Sequence, residues 1–245
     1  MLRLNKIHRK TIQAIVESSV CRIFRWPYLW VANIFMALGL FNLRKNLEYC
    51  LSAMPDDLEY IPDTFVSVLV IGEDHRNLIH FGVDPIAIAR AVVSTLFWRK
   101  QGGSTIEQQF VRVTLADYEQ TFNRKLREQL TATLLSQRTN RRAIAKAYLE
   151  KAYYGTIFNG LHALERSYGK SLCDMSLDEI VEITARLKYP QPLRESTIWR
   201  EKFQRRCGWI KLRLERTRMR NGDETITGTD EVNSIVKSQG EKQCV

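Results

Sequence analysis

A chain of 245 residues fits one domain with length left for an anchor and a tail, and its 44% hydrophobic content suffices for a sizeable core. The 37 basic against 27 acidic side chains leave a net charge of +10, which suits a polyanionic partner: nucleic acid, an anionic membrane surface or a phosphate-bearing substrate. The five cysteines (Cys21, Cys50, Cys173, Cys207 and Cys244) form no CxxC pair and are odd in number, which argues against a zinc knuckle or a dense disulfide framework.

Residues 1–25 are a basic segment carrying Arg3, Lys6, Arg9, Lys10, Arg22 and Arg25. The apolar stretch 26–41, interrupted by Pro27 and Asn33, reads as a candidate membrane anchor or interfacial helix. It is shorter than the roughly 20 residues of a comfortable spanning helix. Its aromatic start (Trp26, Tyr28 and Trp30) suits a membrane interface. A buried helix of the soluble domain is the competing reading. If the stretch spans, its basic flank belongs in the cytoplasm, because Glu48, Asp56, Asp57, Glu59 and Asp63 follow it. No small-residue cleavage site of a signal peptide is present, so the segment is expected to be retained.

Residues 55–195 read as a mostly helical domain. Within it, residues 66–71 (VSVLVI) would pass equally as a strand on β-branched content. Asp84-Pro85 supplies an N-cap and a first-turn proline for the run IAIARAVVSTLFWRK. Asn123 is a candidate cap for a helix whose apolar stripe is Leu126, Leu130 and Leu134. Asn140 is placed to cap a helix carrying Ile144, Tyr148 and Ala152, with Gly155 placed to end it. Ser176 to Glu179 has the form of a capping box. Residues 196–220 form a basic amphipathic helix with Trp199, Phe203, Trp209 and Leu212, and the polar, aperiodic 221–245 reads as a disordered tail.

Three segments stand out as candidates to carry chemistry: Glu73-Asp74-His75-Arg76 running on to His80-Phe81-Gly82, then Gly102 to Gln109 (GGSTIEQQ), then Arg124-Lys125-Leu126-Arg127-Glu128. Each has a plainer explanation by itself. Glu73 and Asp74 are ordinary solvated acids at the end of an element, and the Gly-Gly-Ser-Thr run is a loop with an N-cap. Arg124 and Glu128 make an i,i+4 ion pair worth about 0.3–0.5 kcal/mol. A metal site from Glu73, Asp74, His75 and His80 is conceivable, but their spacing matches no recurrent zinc pattern.

Order and spacing together are more specific. EDxR…HxG, GGSTIxQQ and RKxxE in succession resemble the signature of family 51 glycosyltransferases, the peptidoglycan polymerases. Tyr148-Leu149 and Tyr168-Gly169-Lys170 resemble later elements of that family, and the resemblance runs from about Pro62 to Pro192. With no penicillin-binding module expected after it, the chain looks closest to the monofunctional type.

The resemblance implies a mainly α, lysozyme-like helical transglycosylase domain with a smaller membrane-facing lobe. It implies polymerisation of lipid II into β-1,4-linked glycan strands, with inversion and release of polyprenyl pyrophosphate. Inversion requires a base on the face opposite the leaving group. Glu73 matches that base, and Glu128 matches the second catalytic glutamate, assisting at the pyrophosphate directly or through a divalent cation such as Mg or Mn. No other cofactor is implied. Asp74, Arg76, Ser104, Gln108, Gln109, Arg112, Lys125 and Arg127 match the substrate-binding set. On a helix Arg124 and Glu128 share a face that Lys125 and Arg127 flank, so only part of that set can point into one cleft. Expected partners are lipid II, the growing glycan chain, the inner-membrane surface and other cell-wall synthesis proteins. The location implied is the bacterial cytoplasmic membrane, with the catalytic domain on its outer, periplasmic face.

The chain departs from the family pattern at Asn77, Glu107, Arg112-Val113, Gln120 and Glu150, which thins the phosphate-binding shell by one cation and adds two acids. A non-catalytic descendant that binds a lipid-linked precursor or a cell-wall partner is therefore the alternative reading. A nucleic-acid-binding helical protein has only the charge and residues 199–220 behind it.

Overall fold

The computed structural model describes residues 2–96 and 102–221, so the end of the run after Asp84-Pro85 and the expected tail beyond Asn221 lie outside the described residues. The described residues form ten α-helices and one two-stranded antiparallel hairpin, a mainly α fold. They divide into two units: the chain up to Met54 with Arg76–Arg141, and Pro55–His75 with the chain from Arg142 onward.

The first unit contains α1 (Leu2–Ala37), α2 (Leu43–Ser52), α4 (Pro85–Leu96), α5 (Ile106–Leu115) and α6 (Phe122–Arg138). The boundary expected near residue 25 is not a structural one. Pro27 sits inside the single helix α1, which carries the basic segment and most of the apolar stretch together. Between α1 and α2 the chain turns sharply: Gly39, Phe41 and Asn42 take left-handed backbone angles, and the flanking helices bend by 108°. Stacking of Phe35 on Phe41 (centroids 5.7 Å apart) braces the elbow.

Helix α6 is the hub of this unit, packing against α1, α2 and α5. Its middle, Leu130 to Leu135, is buried on all sides, as a central helix must be. Its N-cap is Thr121, whose hydroxyl accepts from the Arg124 amide, rather than Asn123. The loop before α4 is tied down by its own polar groups. Asp84 Oδ1 accepts from the amides of Ile86 and Ala87, and its Oδ2 from the buried Arg76 guanidinium at 2.8 and 2.5 Å. Arg141 donates to the carbonyls of Asn77 and His80. Gly82 has φ +92°, and a Cβ there would lie 2.2 Å from Ser136 Oγ and 2.5 Å from the Ala132 carbonyl oxygen. Only glycine fits between this loop and α6.

The second unit holds α3 (Asp63–Glu73), α7 (Arg141–Lys151), β1 (Tyr153–Gly155), β2 (Phe158–Asn159), α8 (Leu161–Tyr168), α9 (Leu177–Lys188) and α10 (Thr197–Asn221). Residues 66–71 are helical, not a strand, because α3 packs against both α9 and α10 and buries Phe65, Val68 and Leu69. The Ser176–Glu179 capping box is formed in full at the start of α9. Gly155 does not end α7, which stops at Lys151; it belongs to β1 and bridges to Gln191.

Candidate active site

Thr105 starts the site. Its hydroxyl caps α5 by accepting from the Gln108 amide and donates to the Gly82 carbonyl at 2.7 Å. One side chain thus sets the direction of α5 and ties the Gly-Gly-Ser-Thr loop to the Gly82 turn. The cap reading of this motif holds, alongside a second role. Gly103 admits the loop close to α4, since a Cβ there would lie 3.1 Å from the Ala87 carbonyl and from Ala91 Cβ.

α5, α6 and the loop before α5 then bring together five polar side chains around Glu128, which is 3% exposed. Arg112 forks onto both its oxygens, Nε to Oε2 at 2.9 Å and Nη2 to Oε1 at 3.1 Å. Lys125 Nζ donates to Oε1 at 2.5 Å, and Arg124 Nη1 donates to Oε2. The remaining Lys125 donors reach Ser104 Oγ at 3.0 Å and Gln108 Oε1 at 2.6 Å, and Arg112 also donates to Ser104 at 3.2 Å. Three cations (Arg112, Arg124 and Lys125) against one carboxylate leave the cluster two charges positive.

Burial alone would raise the Glu128 carboxyl, but hydrogen bonds and charge from Arg112 and Lys125 outweigh it and hold it below the usual range. For Lys125, burial is the largest influence and pulls the ammonium below the usual lysine value. Glu128 opposes this, while the charges of Arg112 and Arg124 add to it. The cluster is therefore an anionic carboxylate organising cations, a poor source of protons and a good receiver of negative charge.

Glu73, the other predicted catalytic residue, closes α3 in the second unit and is only partly buried. Arg206 of α10 donates to its Oε1 at 2.6 Å and to the Gly72 carbonyl at 2.7 Å. Asp74 is the buried C-cap of α3, its amide donating to the Val70 carbonyl.

The other expected substrate-binding residues divide by geometry. Ser104, Gln108, Arg112 and Lys125 gather at Glu128. Arg127 instead turns to Asp117, and Arg76 is committed to Asp84, so neither guanidinium lies among the Glu128 cations. Gln109 is half-buried on α5, with its amide closing the first turn onto Thr105. The i,i+4 pair of Arg124 with Glu128 expected from the sequence is formed, although Arg124 was not among the expected substrate-binding residues. Sequence reasoning missed Arg206, for which no local signal exists. Of the departures, Glu150 is occupied by the Tyr60 phenol in the second unit, and Glu107 is fully buried in the first turn of α5.

Comparison with known proteins places these observations. The sequence model of one family, described as Transglycosylase, matches residues 50–215. The chain is 34% identical over 136 residues to penicillin-binding protein 1A of Aquifex aeolicus, covering 54% of this chain and 19% of that protein. To penicillin-binding protein 1A of Escherichia coli it is 35% identical over 140 residues, covering 56% and 16%. To the monofunctional glycosyltransferase of Staphylococcus haemolyticus it is 34% identical over 132 residues, covering 54% and 46%. The chain thus spans less than half the length of each of these relatives. The family match takes in both glutamates, the Gly-Gly-Ser-Thr loop and well over half of the residues: this chain belongs to the transglycosylase family.

Proposed function

We propose that the chain is a peptidoglycan glycosyltransferase that polymerises lipid II into β-1,4-linked glycan. The observation that carries this reading is the Glu128 cluster, a net-positive, part-buried set of cations and neutral donors within the family-matched segment. Such a set suits a pyrophosphate leaving group, whose departure needs charge neutralisation more than a proton. In the reaction, Glu73 takes the proton of the acceptor sugar's 4-hydroxyl as that oxygen bonds to the donor's anomeric carbon. The bond from that carbon to the pyrophosphate oxygen breaks on the opposite face, and its electron pair leaves with the polyprenyl pyrophosphate. Arg112, Arg124 and Lys125 receive the developing charge, with Ser104 orienting Arg112 and Lys125 and Gln108 orienting Lys125.

The Glu128 surroundings argue against a divalent cation seated on its carboxylate. Magnesium demands oxygen ligands, and here three cations already crowd both oxygens. A metal requirement would have to enter with the substrate's own phosphates.

A membrane location has its own support. Ile23, Trp26, Trp30 and Ile34 along α1, and Leu38 just after it, are exposed at three- and four-residue spacing, while Cys21 and Ala32 on the helix's other side are buried. Arg22 beside the stripe is exposed as well. Among the described residues no single helix is long and apolar enough to cross a membrane, though the bent pair Ser19–Ala37 and Leu40–Ser52 passes that test together. The stripe suits the interface of an anionic bilayer, with indoles at headgroup level.

Purified protein in detergent or vesicles should convert lipid II to polymer. Absence of polymer with the wild type, together with saturable binding of lipid II, would instead support a non-catalytic precursor-binding protein. The buried acid Glu107, where the family has threonine, is the observation behind that second reading.

A further inference from the structure

The buried stripe of α10 comprises Arg206, Ile210 and Leu214, at four-residue spacing. Two of these are ordinary core residues. The first is a charged side chain only 9% exposed, whose Nε is buried with no hydrogen-bond acceptor. A leucine would pack there at lower cost, since a buried guanidinium with one N–H unsatisfied is a poor stabiliser. What the arginine does provide is specific. Its Nη2 reaches both the Gly72 carbonyl, at the end of α3, and Glu73 Oε1.

Two further features hold it there. Gly72 lets α9 and α10 approach α3, because a Cβ at that position would lie 2.9 Å from Thr184 Cγ2 and 3.6 Å from Ile210 Cδ1. The Trp209 indole lies against the Arg206 guanidinium, 4.5 Å from its centroid, and carries Arg213 at the same distance. The indole thus stiffens the arginine that engages Glu73.

We propose that Arg206 is a positioning residue for Glu73. It cross-braces the carboxylate to the Gly72 carbonyl at the end of α3, so that the base meets its substrate hydroxyl in one rotamer. Helix ends gather partial negative charge, and a glutamate placed there repels the carbonyls beside it. One guanidinium bonded to both removes that repulsion and the side chain's rotational freedom. The inference rests on the reading of Glu73 as the base. It adds that α10, outside every catalytic motif, contributes to kcat.

Steady-state polymerisation of lipid II by the full chain tests it, with melting temperatures measured in parallel. Arg206→Ala should lower kcat about 10- to 100-fold, with KM within about twofold of wild type. Arg206→Lys should recover part of the loss, since one ammonium can hold Glu73 or the carbonyl but lacks the planar fork. A folded Arg206→Ala with kcat within twofold of wild type overturns the proposal, as does equal loss in the Ala and Lys variants. If Arg206→Ala does not fold, Arg206→Lys and Arg206→Gln decide. The lysine variant should be at least about fivefold faster at matched melting temperature, and equality of the two overturns the proposal. Glu73→Gln separates the two claims. Its inactivity beside an unaffected Arg206→Ala removes the positioning role alone. Wild-type rates in Glu73→Gln remove the base assignment and the inference with it.

Discussion

Around Glu128 the cations come from close by: Arg124 and Lys125 stand on its own helix, and Arg112 is 16 residues earlier. Around Glu73 the guanidinium comes from 133 residues away, on the last helix described. Glu128 has both oxygens engaged by three cations, a surrounding built to gather positive charge. Glu73 receives Arg206 on Oε1 at the end of a helix, an arrangement that orients a carboxylate. The two glutamates are therefore not a symmetric acid–base pair. In the proposed reaction this assigns Glu73 the acceptance of a proton in a defined direction and Glu128 the holding of cations for the pyrophosphate charge.

The sharpest way to break this division is at Glu73. Glu73→Gln keeps the shape and removes the base, so polymerisation of lipid II should fall by about a thousandfold or more while the fold persists. A loss under tenfold would show that Glu73 is not the base. Glu128→Gln should act differently, on rate and stability together. It strands three cations, so activity should drop on the order of a hundredfold. Unfolding free energy should fall by about 2 kcal/mol, less than for a fully buried pair because Arg112 and Lys125 remain about 30% exposed. Denaturant titration of the two glutamine variants side by side measures this. Equal destabilisation would erase the distinction between them.

The same contrast explains what could be read from the sequence. The Glu128 cluster is assembled from two capped helices whose motif residues lie at short spacing, so Ser104, Gln108, Arg112 and Lys125 were all identifiable. The mainly α fold and the Ser176 capping box were legible for a similar local reason. Residues 66–71 were ambiguous because β-branched content suits a strand or a buried helix, and only packing against α9 and α10 decides. Arg206 was invisible because nothing in a basic amphipathic pattern says which arginine turns inward. The pairing of Arg76 and Arg127 was not legible, because a motif position does not reveal a competing carboxylate. Asp84 and Asp117 are those competitors.

Acidity offers a gentler test of the Glu128 cluster. Its carboxyl is held below the usual range, so the stability it contributes is fully present above the ordinary carboxylate value and lost as pH falls through the folded value. Acid denaturation should therefore be less steep in Glu128→Gln than in wild type over that window. On the alkaline side Lys125 is lowered by burial, so the folded state gives up that proton before an ordinary lysine would. Activity should decline below the normal lysine titration range, and Lys125→Arg should move that decline upward. An alkaline limb unchanged by Lys125→Arg would remove Lys125 from the charge-receiving set.

The smallest expected effect concerns Arg127, which the motif places in the substrate shell and the structure pairs with Asp117. On α6, Arg124 pairs with Glu128 through its i,i+4 spacing, while Arg127, the immediate neighbour of Glu128, pairs with Asp117 instead. Arg127→Ala should change activity less than about threefold and stability by about 0.5 kcal/mol, as expected of a partly exposed ion pair. Arg124→Ala, three residues earlier on the same helix, should cost about tenfold in kcat because it takes a cation from Glu128 Oε2. If the two alanine variants lost activity equally, helix-face geometry would not be what separates structural from substrate-facing cations here. Arg127 would then have to leave Asp117 when substrate binds.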